Sequence, residues 1–143
     1  MIFQKLFPEF RFSTEPYRRK ILVSKNNSTP YELNCMSDGE KSIFFYIANV
    51  VMAESKTVIV VDEPETHLHP SICSKLWDEL VLERDDCYFI FISHDVNFIA
   101  SRSDATISWC KRYTSAFDYD INPNINEETL NREVLISLLG SVK

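Results

Sequence analysis

Glycine is the scarcest informative residue in this chain, with Gly39 and Gly140 the only two among 143 residues. A loop that wraps phosphate with backbone N–H groups needs several glycines close together, so neither G-x-G-x-x-G nor G-x-x-x-x-G-K-[ST] is encoded in these residues. The four cysteines, Cys35, Cys73, Cys87 and Cys110, form no C-x-x-C pair. That spacing fits neither a zinc ribbon nor a small disulfide scaffold, and suits reduced thiols in the cytosol. Charge of one sign is not massed either. The 15 basic and 21 acidic residues give a net charge of -6 without a long run of either sign, which argues against a general polyanion binder. The opening MIFQKLFPEF has one basic residue and no sustained apolar stretch, so no secretory leader is expected there. No later stretch approaches the roughly 20 apolar residues of a membrane span. A cytoplasmic protein without membrane partners is the expectation.

What the chain does contain is enough apolar surface for one core. At 45% apolar and 13% aromatic residues, its length suits a single unit over residues 1–143. Residues 10–34 alternate β-prone stretches, FRFS and KILVS, with the turn cluster KNNSTP, and read as two or three short strands. In CMSDGEK, Ser37 or Asp38 is a good N-cap and Glu40 falls in the first turn. The following SIFFYIANVVMAE spaces Ile43, Ile47, Val50, Val51 and Glu54 as a helix does, apolar around much of its circumference and therefore expected to be buried.

TVIVVD is a continuous β-branched run of the kind covered on both faces in a parallel sheet. Pro70 can open the next helix, which lays Ile72, Cys73, Leu76, Trp77, Leu80 and Val81 on one face. CYFIFIS is a second apolar strand, DVNFIASR leaves room for a short helix, and ATISWC gives a third strand. This order predicts an α/β layer with right-handed crossovers. SAFDYDINPN then reads as an irregular link. After it, Asn126 can cap a helix with Leu130, Val134, Leu135 and Leu138 on its apolar face, stopped by Gly140. Residues from about 116 to 143 are thus a linker and a C-terminal helix.

Charge is concentrated where the first parallel strand ends. VIVVDEPETHLHP, residues 58–70, places three acids and two histidines directly behind four β-branched residues. Ligands of open parallel sheets bind beyond the carboxyl ends of the strands. Asp62, fixed at the last strand position, can hold Mg²⁺ directly or through water beside a nucleotide phosphate, while Glu63 can point at an attacking water. The plain alternative is a solvated turn capped by Asp62. His94, just past FIFIS, falls at the same edge if the two strands are neighbours, and can there hydrogen-bond a terminal phosphate or hold the attacking water. In SDGEK, the Ser37 hydroxyl, the N–H groups around Gly39 and the positive end of the helix suit an anion, although such a segment also serves simply as a cap.

The order MSDGEKS, VIVVDEPETHLHP, FISHD resembles the carboxyl-terminal half of an ABC-type ATPase domain, in particular the AAA-like branch of prokaryotic defence and overcoming-lysogenization-type ATPases. The resemblance covers roughly residues 20 to 110. It implies a partial P-loop NTPase fold with a parallel sheet flanked by helices, a short β-rich N-terminal segment and a C-terminal helix. It matches the signature motif to Ser37, Asp38, Gly39, Glu40 and Lys41, the Walker B strand to Val58 through Asp62, the catalytic acid to Glu63 and the switch histidine to His94. ATP and Mg²⁺ are the implied cofactors, with Asp62 on the metal, Glu63 orienting water and His94 on the γ-phosphate. Because ABC-type domains sandwich ATP between subunits, the signature segment is implied to meet nucleotide held on another Walker A loop. With no such loop in its own 143 residues, the chain is expected to be inactive alone. It should need a Walker A-containing segment or subunit, in a homodimer or an assembly of the complete protein, with nucleic acid a conceivable substrate of the whole. NREVLISLLGSVK resembles the helix that joins such a core to an effector domain.

Two rival readings remain. His67-x-His69 beside Asp62, Glu63 and Glu65 has ligand-type side chains at close spacing, which suits a transition-metal site or else a turn or dimer contact. A non-catalytic module that docks on a complete ATPase and regulates it is the other. The aromatic start, IFQKLFPEFRF, with Arg18, Arg19 and Lys20, suits core packing with a solvated basic edge better than a base-stacking surface.

Overall fold

The computed structural model describes residues 2–115 and 118–125. The elements in order are α1 (Ile2–Leu6), β1 (Phe10–Glu15), β2 (Lys20–Lys25), β3 (Tyr31–Glu32), α2 (Asp38–Met52), β4 (Val58–Asp62), α3 (Pro70–Glu83), β5 (Tyr88–Ile92), α4 (Val96–Ala100), β6 (Ile107–Ser115) and β7 (Asp118–Ile125), with single 3₁₀ turns at Pro16–Arg18 and Leu33–Cys35. A first compact unit runs from Met1 to Phe98, and a second begins at Ile99.

In the first unit, β1, β2 and β3 form an antiparallel sheet in that order. The turn residues Asn26 and Asn27 adopt positive φ, 52° and 59°, a conformation Asn tolerates better than most side chains. The aromatic start is core. Phe3 and Phe10 are each 1% exposed, and Phe3 packs against Phe7, Phe10, Phe12 and Phe44 at centroid distances of 4.9–6.4 Å. The basic edge is paired with acids, Arg18 with Glu15 and Lys20 with Glu32.

β4 and β5 pair in parallel, Val58 opposite Tyr88 through Asp62 opposite Ile92. This is the mixed α/β arrangement expected, with helices against a parallel sheet. Strand alternation sends Ile59, Val61, Phe89 and Phe91 to one face, where they join the core with Ile43, Ile47, Leu76, Trp77, Leu80 and Phe98. Trp77 and Leu76 are fully buried. The Trp77 ring lies 5.0 Å from Tyr46 and 5.1 Å from Phe91, joining α2, α3 and β5 through a single side chain.

The other face corrects the expectation of a strand covered on both sides. Val58, Val60, Tyr88, Ile90 and Ile92 are 51–73% exposed. A β-branched run records that a strand suits apolar surroundings, not that both surroundings are present in this polypeptide. α2 likewise buries one stripe only, Ile43, Ile47 and Val50, while Phe45 and Met52 are exposed.

The end of α2 is closed from a distance. Arg84, after α3, donates to the carbonyls of Val50 at 2.6 Å, Ala53 at 2.9 Å and Glu54 at 3.0 Å. A cation there satisfies carbonyls that the helix leaves without partners. Asp86 holds the guanidinium at 2.9 Å and accepts the Lys56 N–H at 3.1 Å.

In the second unit, β6 pairs antiparallel with β7 in a separate sheet. The third strand of the sequence reading therefore does not extend the parallel layer. SAFDYDINPN, read as an irregular link, supplies most of β7, because pairing with β6 overrides its local turn signals. The helix expected after Asn126 lies outside the described residues.

Candidate functional site

The turn after β4 is built by hydrogen bonds that the strand pair makes available. Asp62 ends β4 opposite Ile92, and the next N–H, that of Glu63, donates to the Ile92 carbonyl at 2.8 Å. Glu63 then takes φ 49°, a left-handed conformation that costs a non-glycine residue about 1–2 kcal/mol. The bend is fixed from below by Pro64, a fully buried residue. The Pro64 carbonyl accepts from Trp77 Nε1 at 3.2 Å and from Cys73 Sγ at 3.5 Å. Glu63 is thus lifted out of the strand by contacts its neighbours make with α3, and its carboxylate accepts from Thr66 Oγ1 at 3.1 Å.

β5 delivers the second half. Its exit residues Ser93 and His94 run beside the same turn. His94 Nδ1 stands 3.7 Å from Glu63 Oε1 and 4.0 Å from Glu65 Oε1. Ser93 Oγ donates to Glu65 Oε1 at 2.7 Å. Half-exposed Glu63 and largely exposed His94 therefore face solvent together, over a Glu65 that is mostly buried. Tyr46 of α2 feels this cluster: burial first, then the charges of Cys73, Glu65 and Glu63, push its phenol up.

The structure thus brings Glu63 and His94 together at one rim, with Asp62 at the strand end beside them. Asp62 is exposed and its side chain has no hydrogen-bond or ion-pair partner among the described residues. A free carboxylate of this kind fits Mg²⁺, which takes one or two carboxylates and completes its shell with water and phosphate oxygens.

Ser37 to Lys41 form a separate patch at the start of α2. Ser37 is the N-cap of a reciprocal capping box: its Oγ accepts the Glu40 N–H at 3.3 Å, and Glu40 Oε2 accepts the Ser37 N–H at 3.0 Å. The Ser37 hydroxyl also donates to Glu40 Oε2 at 2.8 Å. Its single proton is therefore committed, and an anion at this helix end must open that bond. Burial pushes Glu40 up, but hydrogen bonds from Ser37 and Lys25 outweigh it and hold the carboxyl below its ordinary range. Asp38 is lowered by its hydrogen bond and ion pair with Lys41, 2.8 Å away. Gly39 joins the patch to the turn after β4, since a Cβ there would meet the His67 carbonyl oxygen at 2.8 Å.

The histidines of the metal reading have other places. His69 caps α3, its Nδ1 lying 2.9 Å from Ser71 Oγ and accepting the Ser71 N–H at 3.4 Å. His67 takes φ 64° in the turn. Among the described residues, no three His, Cys, Asp or Glu side chains are grouped to hold a metal ion. Sequence reasoning gave Trp77 and Ser93 no part in the site, and placed Pro64 and Glu65 only within PETHLHP, which resembles the D-loop region of the ABC-type family, with Glu65 also in the metal reading. The proline in D-E-P was the sole available signal, because the partners of Pro64 lie 9 and 13 residues away.

Comparison with known proteins adds to this geometry. The family model described as AAA domain, putative AbiEii toxin, Type IV TA system matches residues 5–100. No curated protein matches the chain. Among solved structures, one concerned with ATP-driven dimerization and DNA-stimulated activation of SMC ATPases is similar at a TM-score of 0.68 and 18% identity, covering 96% of this chain and 86% of that one. An SMC head bound to the C-winged helix domain of ScpA gives 0.61 at 19% identity, covering 89% of this chain and 41% of that one. An SMC head with extended coiled coil, bound to the C-terminal domain of ScpA derived from Pyrococcus furiosus, gives 0.59 at 18% identity, with coverages of 96% and 35%. The chain thus spans less than half of these last two. At such identities the likeness is one of fold.

Proposed function

We propose that this chain, which belongs to the AAA-domain family described as putative AbiEii toxin, Type IV TA system, supplies the signature and Walker B half of a composite ATP-hydrolysing site. Membership gives a general ATPase, nucleotide-binding character; the division of labour is our reading. Asp62 would hold Mg²⁺, and the ion would supply charge neutralisation on the phosphate oxygens. Glu63 orients the attacking water and takes its proton, and His94 meets the terminal phosphate. Ser37 to Lys41 meet nucleotide held on the Walker A loop of another segment or subunit.

The observation that carries this reading is the Glu63–His94 approach of 3.7 Å at the carboxyl end of a parallel strand pair, made by a glutamate in left-handed conformation. Backbone strain of that kind is held only where surrounding contacts over-determine it, here by the hydrogen bonds that Trp77 and Cys73 donate to the Pro64 carbonyl. The need for a partner is supported by the absent P-loop and by the open apolar face of β4 and β5. A two-stranded sheet with one bare face is marginal by itself, and a Walker A-bearing α/β segment is the occupant that would both cover the face and complete the site. A prokaryotic defence or DNA-related setting is the context we propose for the complete assembly.

Phosphoryl transfer depends chiefly on positioning and on charges around the phosphates, so the purified chain should turn over negligible ATP. Adding a Walker A-bearing segment, with the coding sequence immediately upstream as its first source, should restore turnover. Glu63→Gln should then cost about a hundredfold in rate while nucleotide-driven association persists. Glu63-dependent turnover by the chain alone would overturn the composite site. Association that regulates a complete ATPase yet is indifferent to Glu63→Gln would make the chain a docking module instead.

A further inference from the structure

Among the described residues, Oε2 of Glu65 is the one buried side-chain oxygen or nitrogen without a hydrogen-bond partner. Its other oxygen is fully engaged. Glu65 Oε1 accepts from Ser93 Oγ at 2.7 Å, and the same Ser93 oxygen accepts the Asp95 N–H at 3.0 Å. One short chain of hydrogen bonds therefore ties Glu65 to both residues flanking His94. The Glu65 side chain is 14% exposed, against 80% for His94, so a poorly solvated carboxylate held by Ser93 stands under a solvated ring.

Stability alone does not select this arrangement. An amide could accept from Ser93 equally well, and burying a carboxylate oxygen with no partner is unfavourable. Glu65 Oε1 lies 4.0 Å from His94 Nδ1, with Glu63 Oε1 at 3.7 Å from the same nitrogen. Both separations exceed hydrogen-bond length, so what the two carboxylates exert on the ring is electrostatic: they favour the orientation that turns Nδ1 toward them. Nδ1 faces the protein, so Nε2, across the ring, faces solvent.

We propose that Glu65 is the positioning residue for His94: strapped to both flanks of the histidine through Ser93, it turns Nδ1 inward and leaves Nε2 for a terminal phosphate. The inference rests on the assignment of Glu63 and His94 to ATP hydrolysis.

The test uses the 143-residue chain with Glu65→Gln, Glu65→Ala and Ser93→Ala, following the ring-nitrogen NMR shifts of His94 beside the melting temperature. Glu65→Gln keeps an acceptor for Ser93 and should melt near wild type, yet its His94 shifts should move toward those of a solvent-exposed histidine. In the partner-completed ATPase, kcat should fall roughly tenfold for this loss of positioning, with KM for ATP within about twofold. If Glu65→Ala does not fold, Glu65→Gln and Ser93→Ala carry the test. Unchanged His94 shifts and unchanged kcat in the folded variants, whatever their melting temperatures, would overturn it. The NMR readout needs neither nucleotide nor partner. Shifts that respond to Glu65 without any Glu63-dependent turnover would uphold the positioning and reject the ATPase assignment; turnover with unresponsive shifts would do the opposite.

Discussion

Gly39 backs onto the carbonyl oxygen of His67 so closely that an added Cβ would stand 2.8 Å away. The first turn of α2 and the turn after β4 therefore touch backbone to backbone. In an open helix, Gly→Ala is stabilising by about 1 kcal/mol. Here the new carbon meets main chain, and forced packing of that kind costs about 1–3 kcal/mol. Gly39→Ala should lower the urea midpoint without changing the slope. A higher midpoint would show that the two turns separate freely, and that the Ser37 to Lys41 segment is not braced by the loop carrying Glu63.

Glu63 predicts a conflict between stability and chemistry. With φ 49°, it occupies backbone space that glycine enters without penalty. Relief of strain, less the extra unfolded-chain entropy of glycine, should make Glu63→Gly more stable than Glu63→Gln by up to about 1 kcal/mol. Both variants lack the carboxylate and should lose turnover by a similar factor, about a hundredfold, in the completed ATPase. Denaturation curves of the two decide the matter. A Glu63→Gly chain less stable than Glu63→Gln would mean that the turn holds no strain at this residue.

Trp77 is a structural post under the same turn. Its Nε1 donates to Pro64 O at 3.2 Å, and the ring is fully buried. Trp77→Phe should cost about 1–3 kcal/mol from the space left and from an acceptor that keeps only the weak Cys73 thiol donor. It should also expose Cys73, 2% exposed in the native fold, to thiol reagents. A stability loss with Cys73 still protected would confine the role of Trp77 to packing.

How much of this was legible beforehand differs between local and distant terms. The Ser37 cap, the Pro70 start of α3, the β4 and β5 strands and the meeting of Glu63 with His94 all follow from patterns within a few residues, together with the rule for parallel neighbours. β7 was missed because Asn122, Pro123 and Asn124 carry turn signals that pairing with β6 overrides. Glu65 was assigned no structural part because its hydrogen-bond partner, Ser93, lies 28 residues away. The bare sheet face was unreadable for a different reason, since the same β-branched run serves whether the covering layer comes from this chain or another.

Acid should unfold the chain partly through Asp86. The Arg84 hydrogen bond, opposed by burial and reinforced by the Lys56 N–H, lowers its carboxyl from the ordinary 3.8 to about 2. A carboxylate lowered in the folded state contributes stability that is complete above its unfolded value and is lost as pH falls toward the folded one. The contribution therefore fades between about pH 4 and 2. Asp86→Asn should be less stable than wild type at neutral pH, and the two should converge across that window. Parallel curves, with no convergence, would mean that Asp86 holds Arg84 without any linkage to protonation.

Val60 and Ile90 are paired neighbours on the open sheet face, 59% and 51% exposed. A charge at either position removes little packing in the chain alone, so Val60→Lys or Ile90→Glu should change its stability by no more than about 0.5 kcal/mol. If a Walker A-bearing segment seats on this face, the same substitution buries an unpaired charge in the complex, a change worth about 3 kcal/mol or more. Association and restored turnover should then fall more than a hundredfold together. Pull-down and ATPase assays with the completing segment measure both. Full complementation by Val60→Lys and Ile90→Glu would place the partner elsewhere, and leave the exposed apolar strands without a role in assembling the site.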